Sequence, residues 1–250
     1  MIVNSSFSAI NRIDRLTSGI VLLAKNKSKA SQRSQEMMSR SIRKTYLARV
    51  RGDFPEYVLH IARSSAREEI ICDEPLAIFA HKLGVNHVSS DGKESKTIFK
   101  KRSFNGRTSL VECRPLTGRT HQIRVHLQYL GFPIANDPLY ASNLWGPDGG
   151  KGNLDADTLS RITSSLSSRL ATDPKDDEEL ETDVALCFDC SHPRPLPDLD
   201  SLSIWLHSVR YEGDDWSFET EEPDWALTDF EGDINVTEKL NQPGYNEPEG

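Results

Sequence analysis

The sequence predicts an α+β protein, and three observations carry that expectation. Residues 97 to 101 and 108 to 114 flank Asn105-Gly106 as two strand-like runs, the pattern of a β-hairpin. Residues 28 to 41 are rich in Lys, Gln, Arg, Glu and Met and read as a helix with a basic exposed side. Residues 121 to 130 read as a second helix stopped by Gly131, a residue suited to a helix C-cap.

The remaining elements follow in order. Residues 1 to 9 are short and polar. Ile20-Val-Leu-Leu-Ala24 is a compact apolar run after a Thr-Ser-Gly turn and predicts a buried strand. Tyr46 to Val50 predicts another, with Leu47 on one face and Tyr46, Ala48 and Val50 on the other. Residues 57 to 90 suggest a less regular β region ending in a Ser-Asp-Gly turn, and Pro133 to Pro138 a loop. Residues 146 to 183 shift to Gly, Asp, Ser and Lys and read as an acidic, flexible insertion with one short helix near 156 to 170. Structure is expected to resume at Ala185, residues 201 to 207 to form a helix capped by Ser201 or Asp200, and 229 to 250 to be a disordered acidic tail. The domain boundaries expected are therefore 1–145 and 184–228 for one folded domain, interrupted by 146–183.

Composition restricts the function. No run of eighteen apolar residues predicts a membrane span, and no secretory signal pattern opens the chain. Four scattered cysteines suit a reducing compartment, the cytoplasm first, with nucleus or mitochondrion as alternatives. The net charge of −8 is unevenly distributed: residues 1 to 130 hold 23 Lys and Arg against 11 Asp and Glu, and the rest 7 against 27. A phosphate backbone responds to local cationic surface, so the first half can bind nucleic acid despite the total.

Two stretches concentrate the chemistry. Asn11-Arg-Ile-Asp-Arg-Leu-Thr-Ser-Gly19 sets Asp14 between Arg12 and Arg15, a setting that favours the ionised carboxylate of a nucleophile or base. Taken alone, the same pattern also describes a surface ion pair. Thr117-Gly-Arg-Thr-His-Gln-Ile-Arg-Val-His-Leu127 carries two arginines and two histidines in ten residues, too cationic for an ordinary core element. Cys187-Phe-Asp-Cys190 with His192 has the spacing of half a zinc site, but a second pair is missing, so no metal is expected.

These two stretches resemble the RluA-type pseudouridine synthases, the eukaryotic branch that modifies tRNA in particular. The resemblance extends through Lys44-Thr-Tyr-Leu-Ala-Arg-Val-Arg-Gly52, Asp91-Gly-Lys-Glu-Ser-Lys-Thr97, Gly131-Phe-Pro-Ile-Ala-Asn-Asp-Pro-Leu-Tyr140 and Leu206-His-Ser-Val-Arg-Tyr-Glu-Gly213. It implies a mainly antiparallel, bent mixed sheet with flanking helices, and isomerisation of uridine in structured RNA, most of all tRNA, without cofactor or metal. It implies that Asp14 is the nucleophile, that Tyr46 stacks on the target base and shares in proton transfer, and that Arg124 pairs with Asp14. Ile123 would form an apolar wall, and Arg12 would enter the space left by the flipped nucleotide. Arg15, Arg119 and His121 would face RNA, and a phosphate contact or a charged helix face is the plainer reading of Arg124 and of Arg119. The chain departs from the family at Asn11, where members carry His, and in its short start, so strands upstream of Ile10 are expected to be missing. A monomer is expected. Two other functions fit parts of the pattern: a truncated, non-catalytic RNA-binding relative, and a glycosidase-like hydrolase using Asp14, for which a paired carboxylate motif is lacking.

Overall fold

The computed structural model describes residues 7–56, 69–80, 84–171 and 202–232. Its centre is an α2 helix (Gln122–Tyr129) laid against a large sheet and buried from Gln122 to Gln128. The sheet is assembled from β4 (Arg43–Arg51), β5 (Ile70–Cys72), β8 (Thr97–Phe104), β9 (Thr108–Pro115), β10 (Leu206–Glu212) and β11 (Ser217–Glu219). Its order is β11-β10-β4-β9-β8-β5, with antiparallel neighbours throughout. One contact breaks that rule: β2 (Ser18–Gly19) runs parallel to β10, pairing Ser18 with His207 and Gly19 with Ser208. Two small antiparallel pairs complete the β structure, β1 (Ser8–Ala9) with β3 (Leu23–Ala24) and β6 (Leu76–Ala80) with β7 (Val85–Val88).

Side-chain periodicity explains how α2 serves two cores. Ile123, Leu127 and Leu130 recur at helical spacing and pack on Ala48, Val50, Phe99 and Val111 of the sheet. Val125 faces the other way, into a cluster of Leu76, Val85, Val88, Tyr140, Trp145 and Ile162. Leu127 is wholly buried, a gain of about 1.5–3 kcal/mol over leaving it in water. The polar residues of α2 are each satisfied: Gln122 donates to the Lys96 carbonyl and Thr97 Oγ1, His126 reaches Thr97 and the Glu74 carbonyl, and Gln128 donates to the Tyr140 carbonyl. The helix stops as its sequence predicts. Gly131 has φ +89°, its N–H bonds to the Gln128 carbonyl and that of Phe132 to the Leu127 carbonyl, the paired bonds of a Schellman cap.

Most expected elements are present with shifted ends. α1 spans Lys27–Met38, capped by Asn26, whose side chain accepts from the Lys29 N–H. On β4, Leu47 joins the cluster of Leu110, Val209 and Ala226, while Ala48 and Val50 join the α2 cluster, as the alternation predicts. The hairpin at Asn105-Gly106 turns over four residues, 105 to 108, with Asn105 Oδ1 accepting from the N–H groups of Arg107 and Thr108. Residues 133 to 138 form a loop, but a buried one, from which Ile134 bridges Val50.

Two expectations are corrected. Ile20 to Ala24 is not one buried strand. The chain leaves β10 after Gly19 and joins β1 only at Leu23, and Val21 and Leu23 point to solvent. Residues 203 to 207 hold no helix: the N–H groups of Ile204 and Trp205 are fixed to the Leu16 carbonyl and Asn136 Oδ1, and Leu206 begins β10. Pairing with β4 overrides the local capping signal. The helix expected near 156 to 170 is present as α3 (Ala156–Ala171), which inserts Ile162 into the second cluster beside Trp145. Phe230, at the head of the acidic tail, is also packed, edge-on against Trp205. Residues 1–6, 57–68, 81–83, 172–201 and 233–250 lie outside the described residues, and with them the expected resumption at Ala185. Among the described residues no helix is long and apolar enough to cross a membrane.

Candidate active site

A cleft of about 540 Å³ opens between the β1–β2 segment, β4 and the N-terminal end of α2. Its volume suits a small organic group such as a nucleoside. Asp14, Tyr46, Ile123 and Arg124 line it, together with Arg12, Arg119 and His121. Arg15 is exposed and does not line the cleft. Of the eight expected site residues, seven thus come together from three separate segments.

Asp14 is positioned by a turn. The Thr17 N–H bonds to the Asp14 carbonyl, and the following residues are tied to the far end of the chain: Leu16 O accepts from Ile204, Ile20 N–H donates to Ser208 O, and Ser18 Oγ lies 2.8 Å from His207 Nδ1. Gly19 lies so close to β10 (φ +108°) that a Cβ there would come within 2.3 Å of the Ser208 carbonyl oxygen. That close approach is the physical content of the glycine in the Thr-Ser-Gly motif.

Tyr46 reaches the cleft from β4, in line with Lys44 two residues earlier. Its hydroxyl is 2.8 Å from that of Tyr211, which also accepts from Asn11 Nδ2 at 3.0 Å. A bulge in β10 at Val209 makes this possible, since it sets Ser208 opposite Tyr46 and Tyr211 opposite Lys44, so both β10 side chains share the cleft face. Burial, then the neighbouring Tyr211, raise the Tyr46 pKa well above the ordinary phenol range. The hydroxyl therefore remains protonated at neutral pH. Asn11 also accepts from the Leu22 N–H at 2.7 Å, so the amide at this departure from the family pattern supports the turn from both its ends. Tyr211 is a site residue the sequence reading did not single out.

Arg124 projects from the first turn of α2. Its Nη1 lies 3.8 Å from Asp14 Oδ2, yet its short contacts are with Asp137, Nε to Oδ2 at 2.7 Å and Nη2 to Oδ1 at 2.9 Å. This bidentate fork is wholly buried on the Asp137 side and fixes the guanidinium plane. Burial opposes the Arg124 charge, but Asp137 outweighs it, so its pKa is raised. Asp137 Oδ1 further accepts the N–H groups of Leu139 and Tyr140. Nothing in the Pro-rich loop marks Asp137 as special. The available signal was its partner, because an arginine on a helix buried on every side requires an internal anion.

His121 occupies the cap position of α2 with φ +58°, a left-handed conformation uncommon for a residue with a side chain. Its Nε2 is 4.0 Å from Asp14 Oδ2 and its Nδ1 2.9 Å from the Tyr140 hydroxyl. Burial first, then Arg124, lower its pKa. Arg119 donates from Nε to the Glu94 carbonyl and presents the rest of its guanidinium at the rim. Lys44 lies at the cleft wall beside Gly118, its pKa lowered by burial. Among the described residues no group of three His, Cys, Asp or Glu is placed to hold a metal ion. Cys187, Cys190 and His192 lie outside them.

The overall fold is that of the pseudouridine synthases. Human RNA pseudouridylate synthase domain containing 4 superposes with a TM-score of 0.53 at 19% identity, over 88% of this chain and 73% of that one. Human RNA pseudouridylate synthase domain containing 1 gives 0.50 at 21%, over 89% and 71%. The chain belongs to the RNA pseudouridylate synthase family, whose model matches residues 3 to 129. Among curated relatives, mouse pseudouridylate synthase RPUSD2 is 35% identical over 90% of this chain and 49% of its own length. The mitochondrial tRNA pseudouridine(32) synthase of Saccharomyces cerevisiae is 36% identical over 87% and 49%. Ribosomal large subunit pseudouridine synthase C of Escherichia coli is 38% identical over 52% and 38%. The chain spans about half the length of the first two of these relatives.

Proposed function

We propose that the chain converts specific uridines of structured RNA, tRNA above all, into pseudouridine. The observation that carries this reading is the meeting of Asp14, Tyr46 and Arg124 at one cleft, from segments more than thirty residues apart in sequence. The target uridine is flipped from its stack into the cleft, at a cost of a few kcal/mol, while Arg12 at the exposed rim fills the gap. Tyr46 and Ile123 hold the uracil ring between an aromatic face and an apolar wall. Asp14 acts as the nucleophile that opens the C1′–N1 bond. The freed uracil turns, C5 bonds to C1′ as the Asp14 carboxylate leaves it, and the C5 proton passes to solvent while N1 takes one up. Tyr46 shares in this proton transfer as a phenol held in place by its hydrogen bond with the Tyr211 hydroxyl. Arg124, held by Asp137, keeps the Asp14 carboxylate oriented. Arg119 at the rim of the cleft and the exposed Arg15 outside it face the RNA, while His121 lines the cleft beside Asp14.

The relatives named as tRNA pseudouridine(32) and tRNA pseudouridine(31) synthases support tRNA as the RNA class. The hydrolase alternative is disfavoured by the lining. Among the described residues the cleft carries one carboxylate, Asp14, and the nearby Asp137 is buried and committed to Arg124, whereas glycoside hydrolysis ordinarily uses a pair.

Tritium release from RNA labelled at uridine C5 tests the reading, with this chain compared with its Asp14→Ala variant on total tRNA. Release by the parent alone is expected. Binding without release by the parent would leave an RNA-binding relative, free uracil would favour the hydrolase, and equal release by both proteins would remove Asp14 from the chemistry.

A further inference from the structure

Tyr140 is wholly buried, and among the described residues its hydroxyl has two hydrogen-bond partners. One is the backbone N–H of Asn86 in β7, at 3.1 Å, which can only donate. The other is His121 Nδ1 at 2.9 Å. If Nδ1 carried a hydrogen, the tyrosine oxygen would accept from both sides and its own hydrogen would have no acceptor in a place closed to water, an expensive arrangement. The satisfied arrangement runs one way: Asn86 N–H donates to the Tyr140 oxygen, and Tyr140 O–H donates to Nδ1. An imidazole that accepts at Nδ1 holds its hydrogen at Nε2. That nitrogen is the one 4.0 Å from Asp14 Oδ2, the same oxygen that lies 3.8 Å from Arg124 Nη1.

We infer that Tyr140 sets the hydrogen of His121 on Nε2, making His121 a positioning residue whose N–H faces the Asp14 carboxylate beside Arg124. The Asp14 carboxylate is then addressed by two donors, each anchored behind by a buried partner, Asp137 for the arginine and Tyr140 for the histidine. The left-handed backbone at His121 fits this role, since a residue is held in a strained conformation where the aim of its side chain matters. Tyr140 is itself fixed by stacking on Trp145, with ring centroids 5.6 Å apart and planes at 24°, and by the Arg124 guanidinium 4.8 Å above its ring. The catalytic consequence rests on the function proposed above; the hydrogen position does not.

The test therefore begins without RNA. The full chain, labelled with 15N in its seven histidines, is examined by long-range proton–nitrogen correlation at neutral pH. His121→Asn identifies the signal and tolerates the left-handed backbone. Tyr140→Phe removes the hydroxyl and keeps the ring. His121 is expected to show hydrogen on Nε2 and a bare Nδ1, and Tyr140→Phe to move both nitrogens toward the averaged shifts of a ring exchanging between its two forms. Hydrogen on Nδ1, or shifts unchanged in Tyr140→Phe, would overturn the inference. With RNA, His121→Asn is expected to lower kcat about tenfold while the RNA Kd stays within about twofold, the mark of an interaction used in turnover rather than binding. A loss confined to Kd would make His121 an RNA contact instead and overturn the positioning role. Absence of turnover in the parent would count against the proposed function alone, because the nitrogen shifts decide the hydrogen position independently.

Discussion

Arg124 is bound more tightly to Asp137, at 2.7 and 2.9 Å, than to Asp14, at 3.8 Å. The buried carboxylate therefore carries the structural half of the pair and leaves Asp14 at the cleft free of short bonds from the guanidinium. Removing one member of a buried pair strands the other charge, whereas removing both need not. Asp137→Asn is expected to cost about 3–5 kcal/mol in urea unfolding, and the double variant Arg124→Met/Asp137→Leu less than either single change. A double variant as unstable as the sum of the singles would contradict the buried-pair account.

Tyr46→Phe separates ring from hydroxyl. The variant loses its bond to Tyr211, about 1 kcal/mol of stability. Its affinity for RNA is expected to be unchanged because the stacking face remains, while tritium release falls by a factor of ten or more. A full rate in Tyr46→Phe would assign the residue to stacking only.

Gly19→Ala places a methyl group against the backbone of Ser208 and asks alanine to hold φ +108°. A loss greater than about 1 kcal/mol is expected from the backbone conformation alone, with the clash in addition. Thermal unfolding measures it. A melting temperature equal to the parent's would mean that the β2–β10 contact is loose in solution.

Stability should also fall with acid for a specific reason. Burial is the main cause that lowers the His126 pKa to about 4, against the raising effects of the Glu74 carbonyl and Asp73. The unfolded chain, with a histidine pKa near 6.5, binds more protons than the folded one between those values, so unfolding is favoured as pH drops. The contribution is complete above pH 6.5 and is lost progressively down to pH 4, on the order of 3 kcal/mol in all. Urea midpoints across this range measure it, and His126→Gln should flatten the slope. An unchanged slope would assign the acid sensitivity to other groups.

Much of this molecule was legible where local signals and tertiary demands agree. Asn105-Gly106, the alternation of β4 and the Gly131 cap are local, and all three stand in the structure. The residues around Asp14 and Arg124 were singled out by the family resemblance of two charged segments, and the fold brings them to one cleft. What could not be read depends on distant partners. Strand β10 contains a histidine, two serine-flanked positions and a bulge, and only β4 beside it makes it a strand. Asp137 looks like one more loop aspartate until Arg124 arrives from α2. Ile20 to Ala24 has the apolar content of a strand, yet its backbone must serve β10 first and β1 afterwards, which divides it.

The parallel contact between β2 and β10 joins residue 19 to residue 208. A polypeptide emerges from the ribosome N-terminus first, at about 5–20 residues per second. The Asp14 turn is thus made well before the strand that holds it. Asp14, Tyr46 and Arg124 have all been synthesised by residue 124, but the Asp14 turn has no β10 to pair with until Ser208 has emerged, on the order of seven seconds later at the middle of that rate. The support of the Asp14 turn is therefore completed only when β10 has been made.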